Sequence, residues 1–152
     1  MLGDLTPQEI ETVLQSELIG RIGCHTDTNK MFVVPITYVY KDGYIYGHSR
    51  EGKKIHMMRE NPNVCFEVDV MKDLTHWQSV ILWGEFEEIV SEEDKMNVLK
   101  LLTDRLADLE ASETMMKPSY HLPNPHPHNA GVKAIAFRIK VEEKTGRFEQ
   151  NP

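Results

Sequence analysis

Cysteine is nearly missing: Cys24 and Cys65 are the two in 152 residues. Two thiols make no disulfide framework, so a reducing cytoplasm is the expected compartment, with both side chains filling small gaps in a core. Long apolar runs are missing as well. No stretch approaches the roughly 20 residues that span a bilayer. Residues 1–11 carry Asp4, Glu9 and Glu11 without a basic stretch, so no signal peptide is expected. Positive charge is in deficit, with 17 Lys and Arg against 24 Asp and Glu, net −7. A chain of that sign lacks the field that draws proteins onto DNA or RNA. Several motifs are absent too: Walker A, Cys-x-x-Cys, His-Glu-x-x-His and the Gly-x-Ser-x-Gly elbow. His121, His126 and His128 lie in the proline-rich stretch 117–130 at spacings that make an ordinary loop the better reading, and no metal is expected.

What is present is an ordinary globular mix, 40% apolar and 27% charged, in a length that suits one domain over residues 1–152. Thr6-Pro7-Gln8-Glu9 is a capping box with proline at the first helical position. Ile10, Val13 and Leu14 then share a face, which predicts a helix over 7–17. Strands are predicted at 19–26, 31–40 and 44–49, the last two joined as a hairpin by Lys41-Asp42-Gly43. The period changes to helical over 50–61, where Asn61-Pro62 stops it. Strands follow at 63–70 and 77–90, separated by a loop at 71–76. Ser91 caps a helix with acids in its first turn, residues 133–141 form a last strand, and 142–152 read as a polar tail. Short connections favour an antiparallel sheet closing toward a barrel, mainly β with flanking α.

Three places could carry chemistry. His48-Ser49-Arg50-Glu51-Gly52-Lys53-Lys54 lies where a strand hands over to a helix. Free N–H groups at a helix start, with Arg50, Lys53 and Lys54 beside them, suit a phosphate. Residue types alone leave two readings open, a phosphate site or a solvated basic helix start. Pro35-Ile36-Thr37 interrupts a strand ladder, which fits an edge or a cleft where a flat heterocycle could bond to the backbone. Trp77-Gln78-Ser79 opens a strand that is apolar on both faces, with Trp77, Ser79, Ile81 and Trp83 opposite Val80, Leu82 and Phe86. That pattern fits a core on one side and a partner or ligand on the other.

Read together, VVPITYVY, KDGYIYGHSREGKK, MMRENPNVCFEV and WQSVILWGEFEEI resemble the FMN-binding split-barrel proteins related to pyridoxamine 5′-phosphate oxidase, nearest to the nitroimidazole-resistance type. The resemblance implies a six-stranded antiparallel split β-barrel and a homodimer with FMN at the subunit interface. It implies flavin contacts at Pro35, Ile36 and Thr37, ribityl and phosphate contacts at Gly47, His48 and Ser49, a phosphate grip at Lys53 and Lys54, and cofactor contacts at Ser79 and Trp77. His48 is then the candidate for proton delivery. The implied activity is an FMN-dependent oxidoreductase acting on nitro compounds or another small electrophile, with a nicotinamide donor or redox partner. The alternative is a flavin or haem carrier or sensor without turnover. Two departures matter. Lys53 stands where the family usually has arginine, keeping the charge and losing the fork. The arginine-bearing C-terminal segment of the true oxidases has no counterpart in 142–147, so oxidation of pyridoxamine phosphate is not implied.

Overall fold

A computed structural model describes residues 1–110 and 134–152. Its strands all belong to one antiparallel sheet. Six longer strands form it: β2 (Ile19–His25), β3 (Met31–Thr37), β5 (Tyr44–Arg50), β6 (Asn63–Asp73), β7 (His76–Glu88) and β8 (Ala134–Gln150). Two strands of three residues, β1 (Leu2–Asp4) and β4 (Val39–Lys41), add to its edges. The helices are α1 (Pro7–Ser16), α2 (Lys53–Glu60) and α3 (Glu92–Glu110).

The sheet runs β3-β2-β6-β7-β8-β5-β4, with β1 on β8. β3 and β4 stand at opposite ends of this order, yet Tyr38 alone separates them in the chain. The sheet must therefore curl until its two ends meet, which makes a barrel split between β3 and β5. Tyr38 is the pivot. Its side chain is buried and edge-on to Phe66 at 5.0 Å, its hydroxyl donates to Leu14 O at 2.8 Å, and its N–H donates to Leu18 O. These bonds turn the backbone out of β3 and send it to the far end of the sheet. The predicted hairpin over 31–40 and 44–49 is thus half right. Val39–Lys41 pairs with Tyr44–Tyr46, whereas Met31–Thr37 pairs with β2.

The core fills the barrel with Ile22, Ile45, Phe66, Val80, Leu82, Phe137 and Ile139, alternate residues from five strands. α1 closes one side with Ile10, Val13 and Leu14, its capping box formed as the sequence predicts. α2 contributes Ile55, Met57 and Met58. α3 covers the outside of β5 and β8 through Val98 and Leu102, which pack with Ala136 of β8 and Tyr46 of β5.

Two boundaries need correction. The loop expected at 71–76 is mostly ladder, because Met71 pairs with Trp77 and Asp73 with His76. The polar tail at 142–152 is strand as far as Gln150, hydrogen-bonded to β7 on one edge and β1 on the other. Glycine hid it. Gly146 occupies the buried position of that face, where a Cβ would lie 2.8 Å from Leu5 and 2.9 Å from Ile10, so no apolar alternation marks the strand. The histidines at 121, 126 and 128, and most of the proline-rich stretch, lie outside the described residues. No helix among the described residues is long and apolar enough to cross a membrane.

Candidate functional site

The strand-to-helix junction forms as the sequence suggests, with a later helix start. Arg50 is still the last residue of β5, Gly52 is the extended N-cap, and Lys53 opens α2. No side chain caps this helix and no acid sits in its first turn. Its leading N–H groups are therefore free of side-chain acceptors. In a chain with seven more acids than bases, Arg50, Lys53 and Lys54 form no ion pair among the described residues. Lys53 places its ammonium 5.3 Å from the ring centre of Phe32 on β3. Lys54 is half-buried, and burial holds its pKa below the ordinary lysine value. An uncompensated half-buried cation is costly, so a site built this way fits an anion.

His48 projects from β5 beside this group. Its Nδ1 is buried without a hydrogen-bond partner. Burial first, and the positive charge of Lys54 second, push its pKa below the ordinary histidine value. The imidazole is therefore neutral at pH 7, with one ring nitrogen open to a ligand. Gly47 precedes it on the inner face, where a Cβ would meet the Phe137 ring at 2.8 Å. Ser49 turns its hydroxyl onto the carbonyl of Arg50 at 2.9 Å.

An apolar cleft of about 590 Å³ opens on the outer face of the sheet. Phe32 and Val33 of β3, Gly23 of β2, Cys65 of β6 and Trp83 of β7 line it, with Glu142 and Glu143 of β8 also in its wall. Phe32 joins it to Lys53. Gly23 keeps it open, because a Cβ there would lie 2.6 Å from Cys65 Sγ. Cys65 is thus a wall residue and not the core filler expected, whereas Cys24 is buried, with its thiol pKa raised by that burial. The Phe32 contribution was missed from the sequence, whereas the glycine at 23 marked a close approach and the alternation on β7 pointed to Trp83.

Pro35 and Thr37 flank the buried Ile36 on β3. Pro35 is exposed and, on the edge strand of the sheet, pairs in register with Arg21, a position where a missing N–H is tolerated. Trp77 and Ser79 are elsewhere. Trp77 donates its indole N–H to Glu149 at 3.1 Å, and Ser79 donates to Glu67 at 3.2 Å. β2 and β6 lie between their strand and β3. That is three strand spacings, roughly 14 Å. A single subunit therefore groups β3, His48, Lys53 and Lys54 at one place and keeps Trp77 and Ser79 apart from them.

Around Ser79 the outer face carries a half-buried charge cluster. Arg21 contacts Asp69 at 2.6 Å and Glu67 at 3.7 Å. Burial, and then Asp69, raise the Glu67 pKa above the usual carboxylate value. Apolar side chains surround the cluster: Val33 is 67% exposed, Trp83 41% and Ile81 39%. Among the described residues no three His, Cys, Asp or Glu are placed to hold a metal.

A split antiparallel barrel with a cationic, uncapped strand-to-helix junction beside an apolar cleft is a recognisable class. Residues 6–148 match the family described as pyridoxamine 5′-phosphate oxidase, and the chain belongs to that family. An uncharacterized protein of Rhizobium meliloti, RA0666, is 25% identical over 147 residues, 94% of this chain and 92% of the relative. The crystal structure of a FAD-binding protein from Mesorhizobium loti superposes with a TM-score of 0.76 at 28% identity, covering 99% of both chains. A candidate 5-nitroimidazole antibiotic resistance protein from Bacteroides thetaiotaomicron shares the fold, with a TM-score of 0.70 at 21% identity over 97% of this chain and 87% of that one.

Proposed function

We propose that this protein is a cytoplasmic FMN-binding oxidoreductase that works as a homodimer. The carrying observation is the junction itself. Arg50, Lys53, Lys54 and the uncapped start of α2 form an anion site whose cations pair with no carboxylate among the described residues, directly beside an apolar cleft. A flavin mononucleotide has that composition, a flat and largely apolar ring system joined through a ribityl chain to a terminal phosphate. The fit extends to His48, whose orphaned Nδ1 suits a polar group between ring and phosphate.

Lys53 and Lys54 would hold the phosphate, with Ser49 and the backbone at Gly47 along the ribityl chain. Pro35, Ile36 and Thr37 would orient the ring from the edge of β3. Trp77 and Ser79 reach such a site only from the second subunit, which supports an interface position for the cofactor. Bound flavin would supply electron transfer from a nicotinamide donor or redox partner to a small electrophile such as a nitro compound. The Mesorhizobium loti relative is described as binding FAD. FMN is favoured here because the cations cluster at one terminal point, where a single phosphate ends the ligand.

The absorption spectrum of the purified protein, followed by chromatography of the acid-released cofactor, tests this reading. FMN supports it, FAD would replace the phosphate assignment, and a Soret band would favour a haem carrier. His48 has a separate test. Its low pKa leaves little imidazolium at pH 7, so it serves better as a hydrogen-bonding group than as a strong acid. His48→Ala should lower acceptor turnover per bound FMN if it handles a proton. An unchanged rate per bound FMN with lower occupancy assigns it to binding alone.

A further inference from the structure

One acid lies within the cationic junction. Glu51 stands between Arg50 and Gly52 and is the sole acid from Ser49 to Arg59. A carboxylate at a helix start normally turns onto the free N–H groups there, or onto a neighbouring lysine. This one does not. Both its oxygens bond the Arg59 guanidinium, one to Nη1 and the other to Nη2 at 3.2 Å, and its Oε1 lies 2.9 Å from His56 Nε2. The contacts hold the Glu51 carboxyl below the usual carboxylate range. Arg59 is itself fixed by a second fork, Nε and Nη2 each 2.8 Å from an oxygen of Glu88 at the end of β7. The guanidinium is thus anchored to the sheet at one side and draws Glu51 along α2 at the other.

We propose that Arg59 is a positioning residue that keeps Glu51 from acting as a built-in competitor for the anion site. This rests on the FMN reading above. Released from Arg59, the Glu51 carboxylate would sit within two or three residues of Lys53, Lys54 and the first-turn N–H groups. It would reach the donors a phosphate uses, tethered and therefore always present. Arg59 touches no ligand. Its effect passes through the charge and direction of Glu51.

The test measures FMN and riboflavin dissociation constants for the full chain. Wild type should prefer FMN. Arg59→Gln should reduce that preference by about three- to fivefold, the scale of one exposed ion pair, while riboflavin affinity holds. Arg59→Gln with Glu51→Gln should restore the preference. Arg59→Lys, which keeps the charge and loses the fork, is the milder variant should Arg59→Gln fail to fold, and Glu51→Gln should again reverse its smaller loss. An equal loss for both ligands, or a double variant that does not recover, overturns the positioning role. A wild type that binds riboflavin as tightly as FMN overturns the phosphate reading itself, and this inference with it.

Discussion

The α2 junction and the Arg21 cluster on the outer face are opposite solutions to the same problem. Each holds charge in a half-buried setting. At the junction the half-buried Lys54 and the exposed Arg50 and Lys53 pair with no carboxylate among the described residues. On the outer face one guanidinium serves two carboxylates, Glu67 and Asp69, and a serine hydroxyl completes the network. The first cluster is incomplete and asks for an external anion. The second is nearly closed, with a net charge of −1 from one arginine and two acids, and sits among exposed apolar side chains. A closed polar network within an apolar patch can be covered by another surface at small desolvation cost. That difference in charge balance is what leads us to propose a ligand site at the junction and a docking face around Arg21.

Removing the cations should give the largest effect. Lys53→Ala with Lys54→Ala should weaken FMN by a few kcal/mol, the order of two charge-assisted hydrogen bonds. Riboflavin affinity, measured by fluorescence titration, should barely change. Next comes the docking face. The holoprotein should sediment as a dimer at micromolar concentration, and Ile81→Asp should shift it toward monomer by tenfold or more in dissociation constant, at about 1.4 kcal/mol per factor of ten. A wild-type monomer would remove the dimer from the proposal.

A smaller effect follows from Arg21→Ala, which leaves Glu67 and Asp69 facing each other. With Arg21 side-chain exposure at 42%, solvent screens much of the interaction. A stability loss of about 1 kcal/mol is expected, seen as a few degrees in Tm. Glu67→Gln in the same background should recover most of it.

The smallest effect is pH dependence, where the two regions have opposite signs. His48 has a folded pKa below its ordinary 6.5, so the unfolded chain binds the proton more readily. Its contribution is full above pH 6.5 and is lost as pH falls toward the folded value. Glu67 has a folded pKa above its ordinary 4.5, so the folded chain takes up the proton first. Acidification between the raised value and 4.5 therefore adds stability. Denaturant midpoints against pH should flatten below 6.5 in His48→Gln and above 4.5 in Glu67→Gln.

The sequence disclosed the parts that depend on local pattern. The capping box of α1, the alternation of β6 and β7 and the cationic junction were readable because each lies within a dozen residues. What it concealed depends on distant partners. Tyr38 looks like one more aromatic in a β-branched run, and only its bond to Leu14 makes it the point where the barrel splits. β8 beyond Val141 was hidden because Gly146 stands where an apolar residue would announce a strand. The cleft walls escaped for the same reason. Phe32, Gly23, Cys65 and Trp83 come from four strands and meet only through sheet order.

The pairing of β8 also dictates how the molecule can be born. This strand joins β7, β5 and β1, and it leaves the ribosome after the other strands of the described sheet. Until it emerges, β5 with β4 and β7 with its neighbours are separate pieces, each with an unpaired edge. The nascent chain must hold two sticky half-sheets apart and lock them together in one late step that ties residue 2 to residue 149. Topology of this kind makes folding slow, and the vulnerable interval lasts until β8 has emerged.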